Sequence, residues 1–152
     1  MEEVKLEFFN PTVPMDFQYN YRVGPCIQKL LDGFAEKKIY GSKCPSCGKV
    51  VVPPRTICGA CNAKMEGFVE VAQEGTLRSF TVGHFYLEKG QLKKAESPYV
   101  LGLVELDGVD SLFLARISGV EPSGVKEGMR VKAVWKDQVQ GDYADLDHFR
   151  PA

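Results

Sequence analysis

Two short cysteine motifs constrain the folding of this chain more than any other feature of its sequence. They are residues 44–47, with the letters CPSC, and residues 58–61, with the letters CGAC, and together they form C-x2-C-x10-C-x2-C. Each two-residue loop turns two sulfurs toward one point, so two loops can close a tetrahedron around one metal ion. Gly48 and Asn62 follow the motifs, and both residue types tolerate the left-handed backbone that such turns often need.

The sequence predicts a metal site with four cysteine ligands, namely Cys44, Cys47, Cys58 and Cys61. Four protein ligands leave no position for water or substrate, so we expect a structural ion. Zinc is the first choice, and iron suits the same all-sulfur tetrahedron. A pair of disulfides and a CxxC redox dithiol are the alternatives. The acidic start of the chain, broken by Pro11 and Pro14, does not resemble a signal peptide, and this disfavours disulfides.

Composition and charge narrow the class of protein. The chain has 152 residues, of which 44% are hydrophobic and 26% charged, and no apolar run approaches the ~20 residues needed to span a bilayer. We therefore expect a globular cytoplasmic protein that needs no membrane. A net charge of -1 argues against a protein whose main role is to bind nucleic acid.

Residues 38–64 contain five cations and no acid. The simplest interpretation is compensation, because zinc with four thiolates carries a formal charge near -2 that nearby cations offset. The alternative is a docking place for phosphates, either of a cofactor or of RNA.

Residues 1–24 are predicted to form an extended aromatic arm. The segment lacks helical or strand periodicity, and its aromatic residues lie among prolines and polar residues. Such side chains must pack on the rest of this chain or on a partner subunit. The aromatic residues are Phe8, Phe9, Phe17, Tyr19 and Tyr21.

Residues 25–66 are predicted to form a short helix followed by the zinc ribbon. Pro25 suits a first helical turn, and an apolar stripe with spacings of three and four runs to about Lys37, although Gly33 could end the helix early. Short strands over 39–43 and 49–52 flank the first cysteine motif. The stripe consists of Cys26, Ile27, Leu30, Leu31 and Phe34.

Residues 67–152 are predicted to form a five-stranded OB-fold barrel, so the fold class is mainly β with a short N-terminal helix. The strands are expected near 79–86, 99–106, 112–117, 129–135 and 143–149, with a hairpin turn at Asp107-Gly108 and a long polar loop over 88–97. Gly102 falls where a bent barrel strand leaves no room for a side chain. A five-stranded barrel is too small to enclose a ligand, so a ligand would bind its outer face or loops.

No residue of the chain is a convincing catalyst. Cys26 is left over after the metal site, and a free cysteine on an apolar stripe is commonly an inert hydrophobe. His84 and His148 have no Ser or Cys partner in a recognisable motif, and the carboxylates Glu105, Asp107 and Asp110 surround a turn and are expected to be solvated.

Several motifs, in this order, resemble one known family. They are the helix before Cys44, the two cysteine motifs with Pro53-Pro54-Arg55 between them, Ser79-Phe80-Thr81-Val82, Pro98-Tyr99, Glu105-Leu106 and residues 127–131. The family joins a rubredoxin-like zinc ribbon to a C-terminal OB-fold and associates with acyl-CoA enzymes, thiolases especially. The resemblance covers about residues 28–135.

The resemblance implies a non-catalytic accessory subunit beside a thiolase-fold catalytic subunit, in a hetero-oligomer that supports an acyl-CoA site. A coenzyme A thioester could then be bound at the partner interface. Residues 17–21 of the arm also resemble the small subunits of benzoylsuccinyl-CoA thiolases from anaerobic toluene breakdown. The alternative is a ribbon and OB module for single-stranded nucleic acid. Residues 67–152 carry ten Lys or Arg against thirteen Asp or Glu, and this acidic balance favours the subunit hypothesis.

Overall fold

The computed structural model of the protein describes residues 22–152. The first 21 residues of the predicted aromatic arm lie outside the described residues, so the interpretation of the arm stays a prediction. Across the described part, no helix is long and apolar enough to cross a membrane.

Helix α1 (Pro25–Ala35) begins at the predicted proline and ends two residues before Lys37. Leu30 and Phe34 on its apolar stripe are fully buried. Gly33 is needed where the chain leaves the helix, because a Cβ there would lie 2.5 Å from Tyr40 Cδ2 and 2.9 Å from the Lys38 carbonyl oxygen. The glycine therefore allows the next strand to pack closely against the helix.

A small antiparallel sheet carries the metal-binding loops. Its strands are β1 (Ile39–Lys43), β2 (Val50–Val51) and β3 (Phe68–Val71), in the order β2-β1-β3. The first two confirm the predicted strands beside the first cysteine motif. The third was not distinguished in the sequence, because its four residues are at most partly buried and the strand is defined by its pairing with β1. The chain thus returns to this sheet before it enters the barrel.

Five strands form the closed barrel that the sequence predicted, in the order β4-β5-β6-β8-β7. They are β4 (Glu74–Glu88), β5 (Gln91–Leu106), β6 (Leu112–Ile117), β7 (Arg130–Trp135) and β8 (Leu146–Pro151). Leu77, Phe113 and Phe149 are among the fully buried residues of its core. Gly102 has the predicted role, since a Cβ there would lie 2.5 Å from Leu77 Cδ1.

The prediction of a long polar loop over residues 88–97 is wrong. Strands β4 and β5 continue beyond the barrel as one hairpin, and the turn at Lys89 and Gly90 has φ angles of 49° and 77°. The prediction failed because charged residues occupy strand positions that no core covers, which hides the alternation that usually marks a strand.

The last predicted strand also differs at its start. Residues Tyr143–Asp145 form a 3-10 turn, and the strand begins at Leu146. The buried Asp145 carboxylate favours this turn, because its Oδ2 accepts hydrogen bonds from the backbone N–H groups of residues 140, 141 and 142 at 2.9, 2.7 and 2.9 Å.

The helix, the small sheet and the barrel pack on one another. The rings of Phe34 and Trp135 meet edge to face with centroids 5.2 Å apart. Gln73 links the turn after α1 to β7, because its Nε2 donates to the Lys37 carbonyl at 2.7 Å and its Oε1 accepts from Trp135 Nε1 at 2.7 Å. The metal-binding loops are therefore held against a scaffold that extends through the barrel.

Candidate metal centre

The four cysteine sulfurs converge on one point. All four Sγ atoms lie within 4.8 Å of one another, and Cys44 Sγ lies 3.5 Å from Cys61 Sγ and Cys47 Sγ 3.6 Å from Cys58 Sγ. A tetrahedron with Zn–S bonds of about 2.3 Å has edges of about 3.8 Å, so the cage is close to the size that such an ion needs. The separations are far longer than a disulfide bond of about 2.05 Å.

Each cysteine motif is a tight turn closed by backbone hydrogen bonds. In the first, Cys44 N–H donates to the Lys49 carbonyl at 2.8 Å and Gly48 N–H donates to the Cys44 carbonyl at 3.0 Å. The second repeats this pattern, with Asn62 N–H donating to the Cys58 carbonyl at 3.0 Å. Gly48 and Asn62 have φ angles of 76° and 58°, which confirms the left-handed backbone predicted after each motif.

Backbone N–H groups favour ionised sulfurs at two of the four cysteines. The Cys47 N–H, 3.5 Å from Cys44 Sγ, lowers the pKa of Cys44 to about 6. The Ala60 N–H lowers the pKa of Cys58 in the same way. At Cys47 the Lys49 N–H lowers the pKa, but the neighbouring sulfurs, that of Cys44 first, outweigh it and raise the pKa to about 12. A central dication is what would let the Cys47 thiol ionise.

One ligand of each motif is inside the protein and the other faces solvent. Cys44 and Cys58 are 1% exposed, whereas Cys47 and Cys61 are exposed. The buried pair packs with Met65 and with the partly buried Val51 and Ala63, as a second small core beside the main one. A core this small buries little apolar surface, so an ion held by four thiolates would supply much of the folding free energy of this lobe.

Comparisons with known proteins agree with both halves of this architecture. Residues 31–66 match the family model of the ChsH2 rubredoxin-like zinc ribbon domain, and residues 68–136 match that of the ChsH2 C-terminal OB-fold domain. A DUF35 domain-containing scaffold protein of Methanocaldococcus jannaschii is 31% identical over 98 residues, which are 64% of this chain and 67% of that protein. A protein of the same description from Pyrococcus furiosus is 31% identical over 102 residues, 66% of this chain and 71% of that protein.

The chain belongs to the DUF35 family. A solved DUF35 protein of unknown function from Sulfolobus solfataricus has a TM-score of 0.62 and 26% identity, and the match covers 84% of each chain. A chain of the Ltp2-ChsH2(DUF35) aldolase has a TM-score of 0.64 over 87% of this chain and 98% of that one. At 23% identity, the second likeness shows the fold alone.

Some of the cations that this DUF35 chain carries over residues 38–64 form ion pairs with acids. Lys38 Nζ lies 3.6 Å from Glu70 and Lys64 Nζ lies 3.1 Å from Glu66. Glu70 is the largest cause of the raised pKa of Lys38. Two of the five cations predicted to offset the charge of the cage therefore also pair with acids that follow residue 64 in the sequence.

The remaining candidate residues do not join the cage. Among residues 22–152, the four cysteines are the one group of three or more His, Cys, Asp or Glu residues whose ligand atoms converge. Cys26 is half-buried in the first turn of α1, His84 is exposed on β4, and His148 Nδ1 lies 2.9 Å from Asp147 Oδ2.

The three carboxylates near the Asp107 turn were expected to be only solvated, and the structure gives each a partner. Asp107 pairs with Arg130 through two contacts of 2.7 Å, Glu105 pairs with Arg78, and Asp110 Oδ2 accepts from the Val50 N–H at 2.9 Å. Hydrogen bonds from Arg130 are the largest cause of the lowered pKa of Asp107. Asp110 links the barrel to the small sheet, whereas Asp107 and Glu105 pair with arginines of the barrel itself, and no sequence motif marks either role.

Proposed function

We propose that this chain is a non-catalytic, zinc-binding accessory subunit of a thiolase-type acyl-CoA enzyme complex. The observation that carries the proposal is a closed cage of four cysteines built into a DUF35 scaffold. The residues that would hold zinc are Cys44, Cys47, Cys58 and Cys61. With every position filled by sulfur, zinc would stabilise the fold and leave the chemistry to a partner.

Two findings support a partner subunit. The relatives carry the description of scaffold proteins, and one chain of similar fold comes from a complex named an aldolase together with Ltp2. The motifs over residues 28–135 resemble subunits that associate with thiolases. We propose a thiolase-fold catalytic subunit as the partner, with a coenzyme A thioester bound at the interface of the two chains.

The resemblance of residues 17–21 suggests a narrower assignment to a benzoylsuccinyl-CoA thiolase of anaerobic aromatic degradation. This assignment depends on residues outside the described part of the chain. Substrate tests would decide it, because benzoylsuccinyl-CoA and simple 3-oxoacyl-CoA thioesters differ in the bulk and charge of the acyl group.

Purification of the tagged full-length chain from its native source tests the proposal. We expect a thiolase-fold subunit to co-purify, zinc to be bound to this chain, and coenzyme A-dependent cleavage of an acyl-CoA to require the complex. The chain alone should show no turnover. Full activity of the isolated chain, or salt-sensitive binding to single-stranded DNA without any acyl-CoA enzyme in the complex, would contradict the proposal.

A further inference from the structure

The hairpin of strands β4 and β5 extends beyond the barrel as a two-stranded ribbon. Strand β4 pairs with β7 only as far as Thr76, and β5 pairs with β6 only from Val100 onward. Within the described residues 22–152, residues 84–98, here termed the projecting hairpin, therefore have no third strand beside them. A two-stranded ribbon is marginally stable in water unless one of its faces packs on something.

The register of the projecting hairpin makes it amphipathic. Phe85 pairs with Lys94 and Leu87 pairs with Leu92, and paired residues share a face. The next residues along the strands, which pair as 86 with 93 and 88 with 91, are on the other face. Phe85, Leu87 and Leu92 thus form one apolar face, on which they are 53%, 74% and 69% exposed.

Specific contacts hold this apolar face in place. The Tyr99 ring covers Gly83 at the base of the hairpin so closely that a Cβ there would lie 2.3 Å from Tyr99 Cζ. The Tyr99 hydroxyl donates to the Phe85 carbonyl at 2.7 Å. On the opposite face, Lys93 forms an ion pair with Glu88. The hairpin is therefore anchored while its apolar side chains remain in contact with water.

The charges of the projecting hairpin indicate which kind of surface would cover the face. Lys94 shares the face with Phe85, and Lys89 lies in the turn. Among residues 22–152, no carboxylate lies within 4.0 Å of either ammonium group. A second copy of this chain would bring like charges to the same contact, which is unfavourable. An apolar patch bordered by carboxylates is complementary instead.

We propose that the apolar face of the projecting hairpin docks on an apolar patch, bordered by carboxylates, of the acyl-CoA-processing partner subunit. This inference rests on the proposed function for the type of partner. Large exposed apolar patches commonly mark interaction surfaces, and burial of such side chains at the centre of an interface carries much of the binding free energy.

Substitution on the two faces of the same hairpin tests the proposal. The double variant Leu87→Ser with Leu92→Ser should raise the Kd for the purified partner subunit on the order of 100-fold, because two leucine side chains are no longer buried. The matched control combines Tyr86→Ser with Gln91→Ser on the other face and should change the Kd less than threefold, because that face is outside the proposed contact. Metal content and circular dichroism verify that both variants fold. Equal Kd values for both variants would overturn the proposal.

Photo-crosslinking identifies the occupant directly. A p-benzoylphenylalanine in place of Leu87 should crosslink the full-length chain to the partner subunit, whereas the same residue in place of Gln91 should not. Crosslinks from position 87 to a second copy or to residues 1–21, or none in an intact complex, would overturn the docking face. If the crosslinked partner processes no acyl-CoA, the proposed function fails while the docking face stands. If no protein partner exists, both fail.

Discussion

The Ser111 hydroxyl makes two hydrogen bonds to the backbone of Val52. Its Oγ accepts from the Val52 N–H at 2.8 Å and donates to the Val52 carbonyl at 2.8 Å. One residue away, the Asp110 N–H donates to the Val50 carbonyl at 2.7 Å. The loop between β5 and β6 therefore behaves like an added strand beside β2, and it links the metal-binding half of the chain to the barrel.

Removal of this hydroxyl should weaken the link between the two halves. Ser111→Ala leaves the Val52 N–H and carbonyl without their partner, and we expect it to lower the free energy of unfolding by about 1–3 kcal/mol. Urea unfolding of the metal-loaded protein measures the change. Ser79→Ala, on the exposed part of β4, is the matched control and should lie within about 0.5 kcal/mol of wild type. Equal free energies of unfolding for Ser111→Ala and Ser79→Ala would show that the link is not important for stability.

Loss of one cage ligand should release the metal. Cys47→Ser or Cys58→Ser leaves three thiolates, so metal content should fall from about one ion per chain to near zero, and the lobe around the cage should unfold. Elemental analysis and proteolysis of residues 39–66 measure the two effects. Cys26→Ser, outside the cage, should retain the metal and should also retain the activity of the complex. A variant that loses Cys47 but keeps one ion would show that the ligand set is wrong.

The stability contributed by Asp145 should depend on pH. Burial raises the pKa of this carboxyl, but the N–H groups of Asp142, Gln140 and Gly141 outweigh burial and hold its pKa below the ordinary 3.8. The carboxylate therefore contributes stability that is fully present above the ordinary pKa and is lost as the pH falls through the lower folded value.

We accordingly expect Asp145→Asn to lower Tm near pH 7 and to have a diminishing effect below about pH 4. Thermal unfolding of both proteins across this range measures the difference, and Asp137→Asn at an exposed position should have little effect at any pH. A Tm difference that grows toward low pH would contradict the assignment.

Gly102 should not tolerate even one added methyl group. A Cβ at this position would lie 2.5 Å from Leu77 Cδ1 and 2.9 Å from Ile117 Cγ1, so Gly102→Ala should destabilise the barrel by about 1–3 kcal/mol through overpacking. Gly59→Ala is the matched control, because nothing lies within 4 Å of its added Cβ. Chemical unfolding of the two variants compares them, and equal stabilities would mean that the barrel wall can relax at no cost.

Deletion of residues 1–24 tests the predicted role of the aromatic arm. We expect the shortened chain to fold and to bind metal, because α1 begins at Pro25, but to lose affinity for the partner subunit, as buried aromatic residues often dominate an interface. Co-purification and metal analysis check both parts. If the shortened chain co-purifies with as much partner subunit as the full chain does, these aromatic residues do not contact the partner.

Local patterns in the sequence determined the cage of four cysteines and most of the strands. The cysteine spacing and the residues Gly48 and Asn62 specify a turn by short-range geometry, so the convergence of four sulfurs could be predicted without any knowledge of the barrel. The strand expected near residues 129–135 and the need for a small residue at Gly102 likewise follow from strand geometry.

The tertiary structure decided where distant segments meet. The pairing of β3 with β1, the bonds between Ser111 and Val52, and the three N–H groups around Asp145 join residues whose local sequence carries no sign of a partner. The projecting hairpin was missed for the same physical reason. Its strands are defined by pairing with each other across a turn, and not by a buried face whose periodicity a single segment could reveal.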